Sequence, residues 1–253
     1  MNSAPDYLTL DVMGGVLAAT IALIYGLHSA LKQAGWMTPV RRQAVWSFGV
    51  LLVIWLIAAL SLSWIGVYRG ARIPTIQYGV LIPLVAGIVL FWRWDTLKRA
   101  LETVPLQWIV TVQVYRVLGV TFLVLYAAGH LPGEFAWPAG VGDITVGLLA
   151  PVVGLAYARG WRGAARYVRT WNLLGISDLV VALTMGMLTS PSPLQRFAFS
   201  APNELISAFP LAMIPVFMVP LSILLHLAVW KKLRQAEIGQ PVPRPVLAGE
   251  RGQ

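Results

Sequence analysis

A chain of 253 residues that is 58% hydrophobic and 11% charged is not an ordinary soluble domain, since such domains carry about 25% charged residues. Its net charge of +9 would suit a nucleic-acid partner in a soluble protein. Here the basic residues instead punctuate long apolar runs, which points to a polytopic membrane protein in a lipid bilayer and to no nucleic acid. There is no cysteine, so disulfides, thiolate metal sites and a cysteine nucleophile are excluded.

The first ten residues, MNSAPDYLTL, lack the basic stretch of a signal peptide and carry Asp6, so the first apolar run is expected to remain as a membrane helix. Seven spans of helical length follow, at 8–31, 44–67, 76–97, 106–128, 138–157, 167–188 and 207–230. The expectation is an all-α seven-helix bundle forming one domain over 1–234. Lys32, Arg41 and Arg42 follow the first span, Arg93, Lys98 and Arg99 the third. Arg159, Arg162, Arg166 and Arg169 follow the fifth, and Lys231, Lys232 and Arg234 the seventh. The alternate loops hold only Arg69, Arg72 and Arg196. By the positive-inside rule the N-terminus lies outside and the C-terminus in the cytoplasm of a multi-pass inner-membrane protein. Tryptophans near the span ends, such as Trp46, Trp64, Trp92 and Trp161, fit an interfacial belt. Residues 94–105 mix charges with apolar residues and should lie at the cytoplasmic interface. The polar, proline-rich tail 235–253 should be disordered.

The first and fifth spans align without a gap. Asp11, Gly15, Ala18, Ala22 and Gly26 fall on Asp143, Gly147, Ala150, Gly154 and Ala158. Steps of three or four residues place each set on one helix face, with an acid at the outer end and small residues below. The third and seventh spans both carry paired prolines, Pro74 with Pro83 and Pro210 with Pro220. Two parallel units, 8–98 and 138–234, joined by the helix 106–128, are the expected organisation.

That joining span carries Gln113, Tyr115 and Arg116 in its middle. A charge near the bilayer centre is costly unless paired or facing a polar interior. At about 1.5 Å rise per residue, Arg116 and Asp178 fall at equal depth, so Asp178 is the expected partner, supported by Gln113 and Asn172. Asp143 is placed shallower, on an acidic outer rim with Asp11, Glu134 and Glu204. Such a pair is either a substrate counter-ion or a staple between bundle halves. Pro210, Pro215 and Pro220 leave carbonyls unpaired in the last span and mark a candidate hinge.

Several chemistries lack their residues. His28 and His226 are placed near the cytoplasmic face and His130 near the outer one, with no metal-binding spacing among them, so neither a metal nor another cofactor is expected. A haem between His28 and His226 is the one arrangement weighed, against interfacial histidines that need no explanation. No lysine lies inside a span, which rules out a retinal Schiff base. Nucleotide-binding and hydrolase motifs are missing.

Three stretches, QVYRVLG (113–119), LPGEFAWPAGVGD (131–143) and WNLLGISDLVVA (171–182), resemble an uncharacterised family of bacterial integral membrane proteins. The likeness continues to LLH at 224–226 and implies no activity. In architecture alone the plan is similar to SWEET-type carriers and opsin-like bundles, although the PQ-loop dipeptide is missing, and fold analogy confers no function. The resulting expectation is a small-solute carrier or solute-binding protein, with a polar site lined by Gln113, Arg116, Asp143, Asn172 and Asp178 and with proton coupling through a carboxylate. The alternatives are a membrane-embedded enzyme acting on a lipid or isoprenoid, with Asp143 or Asp178 as general acid, and a non-catalytic accessory or sensory subunit. Self-association is compatible with any of these.

Overall fold

The computed structural model describes residues 6–69 and 75–237. The helices are α1 (Asp6–Gln33), α2 (Thr38–Trp64), α3 (Thr75–Arg93), α4 (Asp95–Thr103), α5 (Leu106–Ala127), α6 (Gly133–Ala158), α7 (Ala164–Thr189) and α8 (Ile214–Ala236, its helix running on to Glu237). All but α4 are long and apolar enough to cross a membrane, giving seven candidate spans among the described residues. The protein is therefore an all-helical, multi-pass membrane protein.

Helices α1, α5 and α6 end alike. Gly35, Gly129 and Gly160 adopt left-handed φ, and the next N–H reaches back to satisfy a last-turn carbonyl. In α5 that bond runs from His130 N–H to the Leu125 carbonyl, at 2.8 Å.

Several span boundaries differ from expectation, among them the start of α2 at Thr38 rather than 44. Trp94 is extended, so the third span stops at Arg93 and α4 forms a separate short helix. Leu97 and Ala100 of α4 are buried while its charged side is exposed or partly exposed. Helix α6 starts at Gly133, five residues before the expected 138, with Pro138 already inside it. The last span starts seven residues later than expected and ends later too. Basic residues do not stop it, because Lys231 Nζ pairs with Glu102 at 3.0 Å and Lys232 Nζ donates to the Glu102 carbonyl at 2.7 Å.

Two spans depart from regular winding. Residues Val112–Gly119 of α5 form a 3-10 segment, long for that geometry. Its three-residue repeat aligns Gln113, Arg116 and Gly119 on one buried face. Ile214–Met218 of α8 is a π-helix, in which the Val219 N–H donates to the Ile214 carbonyl. Pro220 follows directly and has no N–H to give. Pro210 precedes the helix, Pro215 lies in its first turn and Pro220 just past the π segment.

Helix α8 is the most buried span, enclosed by α1, α2, α3, α5 and α7, and α3 is the least buried. On the other side, α6 packs closely on α5 and α7. Residues 238–253 of the expected tail, and Arg72 and Pro74, lie outside the described residues.

Candidate functional site

The polar residues of four helices converge on Arg116. Its Nε donates to Asp143 Oδ1 at 2.7 Å, and its Nη2 donates to Asp178 Oδ2. Its Nη1 faces the Gly175 carbonyl at 3.4 Å and His226 Nε2 at 3.2 Å. On the far side of the imidazole, Nδ1 meets Asn172 Oδ1 at 2.8 Å. Since Asn172 Oδ1 only accepts and Arg116 only donates, this geometry places the imidazole proton on Nδ1. Gln113 Nε2 reaches the Ser222 carbonyl at 3.5 Å, and the Tyr115 hydroxyl pairs with Ser222 Oγ at 2.6 Å. The Trp171 indole N–H donates to the Val146 carbonyl at 2.9 Å, and its ring lies 5.0 Å from that of His226.

Four of the five residues expected to form a polar site, Arg116, Asp143, Asn172 and Asp178, thus share one hydrogen-bonded network, while Gln113 is buried on the same face of α5 as Arg116 and bonds to Ser222. Asp143 belongs at the centre of the network rather than on an outer rim. The reason is the earlier start of α6. Asp143 lies ten residues from that start, and Arg116 and Asp178 each lie eleven from the ends of α5 and α7. All three therefore sit roughly 15–17 Å from the same side. The remaining rim residues do not gather: Asp11 accepts from Thr121, while Glu134 and Glu204 are exposed.

Sequence reasoning missed His226, placing it near a membrane face. The continuation of α8 to Glu237 moves it eleven residues from that end. Both ring nitrogens are engaged within the hub, and His28 is exposed elsewhere, so the two histidines do not face each other across a haem. Among the described residues no cluster of three metal-ligating side chains occurs.

Glycine makes room for the hub. A β-carbon at Gly142 would overlap the Asp178 carboxylate, and one at Gly175 would overlap the His226 ring. At Gly147 it would lie 2.6 Å from the Val117 backbone nitrogen, so α6 rests on the α5 backbone itself. Gly15 of α1 likewise meets the Leu118 side chain of α5.

The second feature is an apolar cavity of about 620 Å³ on the other side of α5 and α8. Its walls come from α1, α2, α3, α4, α5 and α8, and include Leu52, Trp55, Ala59, Gly87, Val112 and Leu225. Helices α5 and α8 form a partition. Ile109, Val112, Leu221 and Leu225 face the cavity, while Gln113, Arg116, Ser222 and His226 form the hub. Helices α2 and α3 barely touch each other. Their lining residues Leu51, Leu62, Tyr78 and Ile82 are exposed, so the cavity opens sideways between them.

No curated protein and no solved structure shows significant similarity to the chain. A family model described as a domain of unknown function, DUF8737, matches residues 73–234, a stretch that holds every hub residue. That match covers well over half of the sequence, and the chain belongs to the DUF8737 family.

Proposed function

We propose that this membrane protein is a carrier or holder for a lipid-like molecule, taken up sideways from the bilayer into the apolar cavity. The observation that carries this reading is the cavity: its volume lies in the range of small-molecule sites, its wall is apolar, and its opening faces the surrounding lipid. A small polar solute fits the geometry less well, because Arg116 directs its donors at Asp143, Asp178, Gly175 and His226. A lipid-modifying enzyme is disfavoured because, among the described residues, no carboxylate or histidine lines the cavity.

In this reading the Arg116 hub is a staple that holds α5 and α8 as a rigid partition, and the π segment near Pro215 and Pro220 is where α8 yields. The N-terminus is outside, as the loop charges favour. Two parallel units about α5 are supported by matched contacts: the aligned residues Gly15 and Gly147 meet α5 at Leu118 and Val117.

The test is mass spectrometry of what copurifies with the full chain in mild detergent. The expected result is a retained lipid, lost on Ala59→Phe, which fills the cavity, and kept on Asp178→Asn. A stoichiometric polar solute that is lost on Arg116→Gln would replace this reading with a solute carrier whose site is the hub.

A further inference from the structure

We propose that the hub is a proton-binding site, in which Asp143 and Asp178 together hold one proton at neutral pH. The proposal is independent of what fills the cavity. It makes the proton the ligand of the hub, as the lipid is of the cavity.

The charges at the hub carry it. Arg116 supplies one positive charge and Asp143 and Asp178 two negative ones, all from the middle of candidate membrane spans. The Arg116 and Asp178 side chains are 2% and 6% exposed, and that of Asp143 15%. With both acids ionised, one negative charge would stand unbalanced in a low-dielectric interior, which is costly. Among the described residues no further cation relieves it. Helices α5 and α6 carry no basic residue besides Arg116, and α1, which packs on α5, carries none before His28. On α7 the nearest, Arg169, lies nine residues before Asp178 and is exposed. On α8 the nearest, Lys231, pairs with Glu102.

The balancing proton does not sit on His226. Its Nε2 faces Arg116 Nη1 at 3.2 Å, and its Nδ1 meets Asn172 Oδ1 at 2.8 Å. Arginine only donates, so an imidazolium would set one N–H against another. Reversing the Asn172 amide brings no relief, because the ring proton would then move to Nε2 and face the same donor. The Tyr115 hydroxyl pairs with Ser222 Oγ and contributes no charge.

The proton therefore falls to the two carboxylates. Arg116 Nε and Nη2 share one edge of the guanidinium, so the acids they bind lie side by side. The Asp178 carboxylate also presses on Gly142, the chain neighbour of Asp143. Two carboxylates held so close do not both ionise readily, and one proton shared between them meets the cost. Each offers Arg116 one oxygen, and its second oxygen is left to carry the proton. The pair titrates as one unit. Asp143, the more exposed acid, is where the proton exchanges with the surroundings.

Infrared spectroscopy of the full chain in detergent, labelled with carbon-13 aspartate, detects a protonated aspartate by its carbonyl band. The wild type is expected to show one such group at neutral pH. The band should vanish in Asp143→Asn and in Asp178→Asn, since either leaves one acid against one guanidinium. It should stay in Asp11→Asn, whose acid accepts from Thr121 outside the hub. Nitrogen-15 spectra should show His226 neutral, with its proton on Nδ1. A wild type without the band, or with a His226 imidazolium, would overturn the proposal even where a variant fails to fold. So would a band that survives either hub substitution or is lost in Asp11→Asn.

Discussion

His226 and Gly175 share a space that admits only glycine at the smaller position: a β-carbon at 175 would lie 2.5 Å from the imidazole Nε2. The ring is thereby held between the α7 backbone and the Arg116 guanidinium. Gly175→Ala must push it away, and overpacking of this kind costs about 1–3 kcal/mol. Thermal unfolding in detergent should show a lowered midpoint, and His226→Ala should restore part of the loss in the double variant. An unchanged midpoint in the single variant would sink this account of the contact.

The hub has one guanidinium and two carboxylates. Removing the cation alone strands both acids, so Arg116→Met should cost about 3–5 kcal/mol, the range for breaking a buried pair. Asp178→Asn leaves one cation facing one carboxylate and keeps an oxygen for Nη2, so its cost should be smaller. The triple change Arg116→Met, Asp143→Asn, Asp178→Asn should recover much of the loss. Unfolding midpoints and expression levels read this order, and a triple variant as unstable as Arg116→Met would refute the pairing argument.

Two glycines separate close packing from helix propensity. At Gly147 an added β-carbon meets backbone, which cannot swing aside, whereas Gly14 has nothing within 4 Å of that position. Gly147→Ala should destabilise the protein, while Gly14→Ala should be neutral or stabilise it by roughly 0.5–1 kcal/mol. Only the Gly147 variant should lower the midpoint, and an equal loss in both variants, or none in the Gly147 variant, would argue against the α5–α6 contact.

Trp171→Phe removes the indole N–H from the Val146 carbonyl but keeps a ring beside His226. The loss should be about 1 kcal/mol, one ordinary hydrogen bond. A loss as large as that of Arg116→Met would show that the indole does more than this bond.

The sequence made the membrane character legible because apolar runs of helical length leave little alternative, and Arg116 stood out because a mid-span charge needs a partner. The depth match to Asp178 followed from helical rise alone. Asp143 and His226 were misplaced for one shared reason. Pro138 and the cluster from Lys231 to Arg234 were read as helix limits, yet α6 begins before the proline and α8 continues past the lysines on the support of Glu102. The cavity was not legible at all. Its walls use the same Leu, Ala and Gly that pack closely elsewhere, and only the spacing between α2 and α3 tells the two apart.

The most enclosed span, α8, is also the last of the seven to leave the ribosome. Domains and segments fold in the order in which they are made, N-terminal parts first. During synthesis α1 to α3 must therefore wait in the bilayer as an open shell without their central rod, while Arg116, Asp143 and Asp178 can already meet. The pairing of Arg116 with its two carboxylates can form first, whereas the His226 side of the hub and the cavity wall must wait for α8.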